Sequence, residues 1–127
     1  RHDAVRQYMC CQDLCEEELV PPEALKDHQY VAYCDGTSHS DRLLLLLHSG
    51  ALTLHMSSPL QLFFSRGLSA SRATLPIRGD ASDLQQALLW ARRHQAHARA
   101  MAFRAQQFAS NALSIEACLH YLHEVLE

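Results

Sequence analysis

Five consecutive leucines, Leu43 to Leu47, stand between a polar, hydroxyl-rich loop and the pair Ser49-Gly50. A helix built on such a run is apolar on every side, so the fold must cover it on every side. Ser40 can cap its start and Gly50 can end it. The segments around it favour β-structure: "QYVAYC" at 29–34, closed by the turn pair Asp35-Gly36, and "ALTLHM" at 51–56. The second shows no clear alternation, the pattern of a strand covered on both faces in a parallel sheet. Strand, buried helix and strand in that order predict a βαβ unit.

The pattern continues downstream. "SSPLQLFFSRG" predicts a short helix, with Ser58 as cap, Pro59 at its first position and Gly67 as terminator. "RATLPI" predicts a third short strand. "GDASDLQQALLWARRH" predicts a helix with Ser82 and Gln85 at capping-box spacing and an apolar stripe of Leu84, Ala87, Leu88 and Ala91. "AHARAMAFRAQQFASNAL" predicts a helix with Ala98, Met101, Ala102, Phe108 and Ala109 inward, and "SIEACLHYLHEVLE" one with Ile115, Cys118, Leu119, Leu122 and Val125 on one face. Upstream, "DAVRQYMCCQDLCEEEL" predicts a helix that Asp3 can cap and that Pro21 and Pro22 end, with a further short turn at "PEAL".

The expected fold class is therefore α/β: a small parallel sheet with flanking helices and a helical C-terminal tail. Residues 1–28 read as an N-terminal helix and Pro-containing connector, and residues 29–127 as the domain proper. Three strands are few for a free-standing sheet, so the domain reads as the later part of a larger doubly wound one.

A length of 127 residues suits one domain. The formal net charge of -3 offers no basic field to nucleic acid or to an anionic membrane. The longest apolar run is far too short to span a bilayer, and neither a signal peptide nor a retrieval tetrapeptide is visible. The sequence starts at Arg1 rather than Met, as expected of a processed protein or a piece of a longer one. The cysteines Cys10, Cys11, Cys15, Cys34 and Cys118 lack C-x-x-C spacing, so neither a zinc knuckle nor a thioredoxin-type motif is expected. The first three serve either as small apolar residues or in a disulfide, and the redox compartment stays open.

In a parallel α/β sheet, ligands bind where strands end and helices begin. The loop from Asp35 to Asp41 is such a place. A helix start there exposes backbone N–H groups, Thr37, Ser38 and Ser40 can add hydroxyl donors, and Arg42 can grip phosphate oxygens in its planar fork. The structural alternative is that Ser40 only caps the helix and Arg42 pairs with Asp35 or Asp41. Only Gly36 represents glycine in the loop, so this is no dinucleotide fingerprint. His94 with His97, and His120 with His123, have helical spacing. Such a pair supplies only two metal ligands, and H-E-x-x-H is absent, so exposed helix histidines are the expectation and no metal site is assigned. No G-x-S-x-G elbow supports a serine triad. The arginine-bearing stretch after Trp90 has few aromatics for base stacking and reads as a solvated or partner-facing stripe.

Taken in order, "DG" before the loop, Arg42, "SGALTLHMSSPLQLFF", "LPIRGDASDL", "LLWARRH" and "AQQFASNAL" resemble one family. It is that of the Rumi-type protein O-glucosyltransferases and capsule-associated xylosyltransferases, glycosyltransferase family 90. The resemblance runs from about Gln29 to Leu126 and concerns the family's C-terminal portion. It implies GT-B architecture, with two Rossmann-like domains facing across a cleft, and inverting transfer of glucose or xylose from a UDP-sugar to a hydroxyl. It implies that Gly36, Thr37, Ser38, Ser40 and Arg42 line the UDP diphosphate site, without a metal or other cofactor. It implies a catalytic aspartate in an N-terminal domain outside these residues, which makes that domain, or other protein chains, the expected partner. The family suggests the lumen of the secretory pathway, to which nothing in these residues speaks. Three positions depart from the family pattern: Asp41 stands where an aromatic is usual, Leu62 where an acid is usual, and His55-Met56 where Lys-Gln is usual. Those departures suit the alternative expectation, a degenerate, non-catalytic accessory subunit of a larger assembly.

Overall fold

A computed structural model describes residues 22–34 and 42–127. The predicted N-terminal helix, its three cysteines and the loop 35–41 lie outside the described residues. The chain enters through a 3-10 turn at Pro22–Asp27, where a short turn is expected. Three strands follow, β1 (Tyr30–Tyr33), β2 (Leu52–Met56) and β3 (Leu75–Ile77), pairing in parallel in the order β1-β2-β3. The register sets Tyr33 opposite His55 and His55 opposite Pro76. Helix α1 (Arg42–His48) connects β1 to β2, and α2 (Ser65–Ser71) connects β2 to β3. Three helices close the chain: α3 (Leu84–Arg93), α4 (Gln95–Ala112) and α5 (Ile115–Leu126). This is the expected α/β architecture, a Rossmann-like fragment with a helical C-terminal region.

Side-chain alternation along the strands divides the core between the two faces of the sheet. Val31 and Tyr33 point to one face, where they pack with Leu43, Leu46 and Leu47 of α1, Phe64 and Leu68 at α2, and Ala105 and Ala109 of α4. Leu46 and Leu47 are fully buried. Leu43, Leu46 and Leu47 are thus held between the sheet and α4, whereas Leu45 is 48% exposed, so the run is not covered on every side as expected. On the other face Ala32, Leu54 and Ile77 pack against Leu84, Ala87 and Leu88 of α3, the stripe expected from spacing. Tyr30, Leu52 and Leu75 meet Ala91, Ala98 and Met101 there. Helix α4 therefore serves both faces: its first half joins the α3 side and its second half the α1 side. The small residues at 98, 102, 105 and 109 let its backbone come close to the sheet and to α1.

Two local expectations are corrected. The helix expected over "SSPLQLFFSRG" begins only at Ser65 and contains Gly67 rather than ending at it. Ser58 spends its hydroxyl on a local turn, accepting from the Leu60 N–H at 3.1 Å, and the Leu62 N–H bonds to the Ser65 hydroxyl at 2.8 Å. Burial of Phe64 and Leu68, one turn apart, decides where the helix starts. Gly67 lies close under the Phe108 ring, where a Cβ would stand 3.2 Å from it. Nor does the Ser82/Gln85 capping box form: Asp83 occupies the cap position of α3, and its carboxylate accepts from the Arg78 N–H at 2.8 Å instead.

Candidate functional site

The carboxyl ends of the three strands form the edge at which a parallel sheet binds ligands. Helices α1 and α2 leave that edge on one face and α3 on the other, so the chain parts between the ends of β2 and β3. Arg42 is the first residue of α1, half-buried, at this edge. Gly36, Thr37, Ser38 and Ser40 lie outside the described residues, so of the five expected site residues the structure places Arg42. The helix it begins spans two turns and is buried through Leu43, Leu46 and Leu47. Packing of the leucines therefore fixes where the arginine stands.

Around Arg42 the edge is built from the strand ends. His55 is the last but one residue of β2, and its ring meets that of Tyr33 edge-on, with centroids 5.3 Å apart. Below them on β2 lies Thr53, fully buried, its hydroxyl without a hydrogen-bond partner among the described residues. Past β2, the Ser57 N–H bonds to the Ile77 carbonyl at 2.9 Å, which extends the pairing to the end of β3. The loop that follows, Arg78 to Asp83, comes so close that a Cβ on Gly79 would stand 2.9 Å from the Ser57 carbonyl oxygen. Ala81 adopts φ 60°, a left-handed conformation that is rare for residues other than glycine. Asp80 accepts from the Ser82 N–H at 3.0 Å. The Ser82 backbone and hydroxyl together hold the Asp80 carboxyl below its ordinary value. Arg42, His55, Arg78 and Asp80 are separated by up to 38 positions in the sequence, and the sheet register brings their segments to one edge.

The opposite edge carries an open cavity of about 360 Å³ that sequence reasoning missed. Lys26, His28, Tyr30, Leu52, Arg99 and Phe103 are among its lining residues. It exists because α4 passes the amino ends of β1 and β2. No local motif could reveal it, since its walls come from three separate segments, 26–30, 50–52 and 95–106. It lies at the wrong end of the strands for a switch-point ligand.

The histidine pairs are where helical spacing puts them. The His94 ring stacks on Trp90 at 4.9 Å and lies 6.1 Å from the His97 ring. His120 and His123 pair with Glu124 and Glu127 at 3.5 and 3.0 Å on the exposed side of α5. Among the described residues, no three His, Cys, Asp or Glu side chains come together as metal ligands would. Among the same residues, no helix is long and apolar enough to cross a membrane. Cys34 is buried and Cys118 half-buried.

Comparison with known proteins agrees with this architecture. The family described as Glycosyl transferase family 90 matches residues 16–127. Protein O-glucosyltransferase 2 of Danio rerio is 29% identical over 100 residues, which cover 79% of this chain and 20% of that protein. The chain thus spans about a fifth of the length of the curated relative it matches. A match across nearly the whole domain, on a parallel sheet with Arg42 at its carboxyl edge, places this chain in glycosyltransferase family 90.

Proposed function

We propose that the chain forms the donor-binding part of a UDP-sugar-dependent O-glycosyltransferase of GT-B architecture, transferring glucose or xylose to a hydroxyl with inversion. The observation that carries this reading is the position of Arg42, at the carboxyl edge of the sheet and at the start of α1, in a chain of this family. When the bond between the sugar and UDP breaks, the departing β-phosphate oxygen takes the electron pair. A guanidinium beside it stabilises the charge as it develops, and the amides and hydroxyls of Gly36, Thr37, Ser38 and Ser40 add donors. The acceptor hydroxyl must lose its proton to a base within hydrogen-bond reach, and in this reading a carboxylate of a separate domain supplies it. Catalysis then needs both walls of the cleft, while donor binding needs only this one.

Titration calorimetry with UDP, UDP-glucose and UDP-xylose tests the reading. The expected result is binding that Arg42→Ala weakens by about 1.5–3 kcal/mol, the scale of a charge-assisted hydrogen bond. No heat of binding at millimolar UDP would sink it.

A second reading, a non-catalytic accessory subunit, is favoured by one observation. Leu62 stands where the family resemblance calls for an acid, and here it packs against the main core cluster. Co-purification from the native source distinguishes the two: a stable complex with other polypeptides, and no UDP binding, supports the subunit.

A further inference from the structure

The proposed donor site leaves the cavity at the amino edge of the sheet unused. Its floor is apolar, with Leu52, Ala98 and Ala102 buried beneath it. The two alanines lie one turn apart on α4, and their small side chains leave the hollow open. Two aromatic residues stand beside that floor, Tyr30 half-buried and Phe103 60% exposed. One wall is pinned: the Gln106 amide donates to the His48 carbonyl at 3.2 Å, which ties α4 to the end of α1, and a Cβ on Gly50 would stand 3.0 Å from that amide nitrogen. The rim carries Lys26 and Arg99, both exposed. Among the described residues, no acid lines the cavity and neither of these cations is held in an ion pair. Glu23 and Asp27 share a turn with Lys26 but are not among the lining residues.

We propose that this cavity binds a small organic anion, a carboxylate or phosphate ester with a flat apolar body. The anionic group is held between Lys26 and Arg99, and the body lies on Leu52, Ala98 and Ala102 beside the two aromatic side chains. Three observations select that ligand. The first is charge. An ammonium and a guanidinium without a facing carboxylate make a positive rim, and both donate strong bonds to carboxylate or phosphate oxygens. The second is shape. A volume of about 360 Å³ falls within the range of small-molecule sites, which pair an apolar lining with a few placed polar groups. A bare inorganic anion would leave the apolar floor wet, and a neutral apolar molecule would leave both cations without a partner. The third is place. The separate domain of the proposed function faces the carboxyl edge, at the other end of the strands, so it does not cover this cavity. That third observation rests on the proposed function, and the first two do not.

Nuclear magnetic resonance titration of the isotope-labelled full chain tests the proposal, with benzoate, phenyl phosphate, inorganic phosphate and benzylammonium as probes. The expected result is saturation by benzoate or phenyl phosphate at millimolar concentration or below, at least tenfold tighter than by inorganic phosphate. The largest amide shifts should fall at Tyr30, Gly50, Arg99 and Phe103, and either organic anion supports the site. Lys26→Glu and Arg99→Glu should each weaken binding tenfold or more, and Phe103→Ala severalfold. All three side chains are exposed, so circular dichroism should show an unchanged fold. Arg93→Glu, exposed and outside the lining, should leave binding within twofold, as should Arg42→Ala, which separates this site from the donor site. No saturation by either organic anion at millimolar concentration overturns the proposal, as it would if residues upstream of Pro22 filled the cavity. Equal binding of benzylammonium or inorganic phosphate overturns it as well. So do shifts gathered around Arg42, or binding that survives both folded charge reversals. None of these failures touches the outcome of the UDP titration.

Discussion

Thr53 is a costly residue for the sheet to hold. It is the second residue of β2, the central strand, fully buried, and its hydroxyl has no partner among the described residues. A β-branched side chain suits a central strand, but a buried hydroxyl without a hydrogen bond gives up its water for nothing. Valine keeps the shape and removes the hydroxyl. Thr53→Val is therefore expected to raise stability by about 1 kcal/mol, read as a shift in the urea midpoint at constant m. Asp80 is the opposite case, a charge that its surroundings favour. Its carboxyl is held below the ordinary value by hydrogen bonds from the Ser82 backbone and hydroxyl. A lowered folded-state value means stability that is present above the unfolded carboxylate value and is lost as pH falls through the folded one. Asp80→Ala should be less stable than the native chain at neutral pH. The gap should close as acid unfolding is followed below about pH 4, where the unfolded carboxyl becomes protonated. A gap that stays constant with pH would show that the carboxylate is not its source.

Among the elements, α2 shows how a short helix is finished from outside. It ends at Arg72, in the left-handed region at φ 51°. The Arg72 carbonyl accepts two bonds from Arg104 on α4, from Nε at 3.2 Å and from Nη2 at 3.0 Å. A cation at a helix C-terminus is favoured by the helix dipole as well as by the bonds. Both residues are exposed, so the effect is small: Arg104→Ala should cost roughly 0.5–1 kcal/mol by thermal denaturation. Gly79 is the stricter requirement, because the group its Cβ would meet is the Ser57 backbone carbonyl. Gly79→Ala must push apart the ends of β2 and β3 and should cost about 1–3 kcal/mol. If Arg42 and the β3 loop act on one ligand, that variant should weaken UDP binding as well.

At the scale of the whole molecule, the buried leucines of the run are the centre of one face's core, closed over by the second half of α4. Leu46 is fully buried in the main cluster with Val31, Tyr33, Ala105 and Ala109. Leu46→Ala should cost about 2–5 kcal/mol, and a chain of this size has little to spare. Much of this was legible in the residues. "QYVAYC", "ALTLHM" and "RATLPI" each carry a strand, and the stripes of α3 and α4 face inward as spacing predicts. The start of α2 turns on a distant ring and the cap of α3 on an amide five residues back, neither of which capping-box or helix-start spacing weighs. Phe64 must reach the core shared with Phe108, and the Asp83 carboxylate is drawn to the Arg78 amide. The exposed stripe of α5 was legible as a stripe, but not as an uncovered one.

By itself the sequence determined the fold class, the order of strands and helices, and the presence of Arg42 at a strand-to-helix junction. Periodicity and turn chemistry act over a few residues, and these features depend on nothing farther away. Only the tertiary structure decided which strand ends share an edge and that α4 serves both faces. It alone decided that Thr53 is buried without a partner among the described residues and that α5 is left with its leucines in solvent. Those outcomes depend on which distant surfaces meet, and burial is settled by the whole arrangement rather than by any one segment.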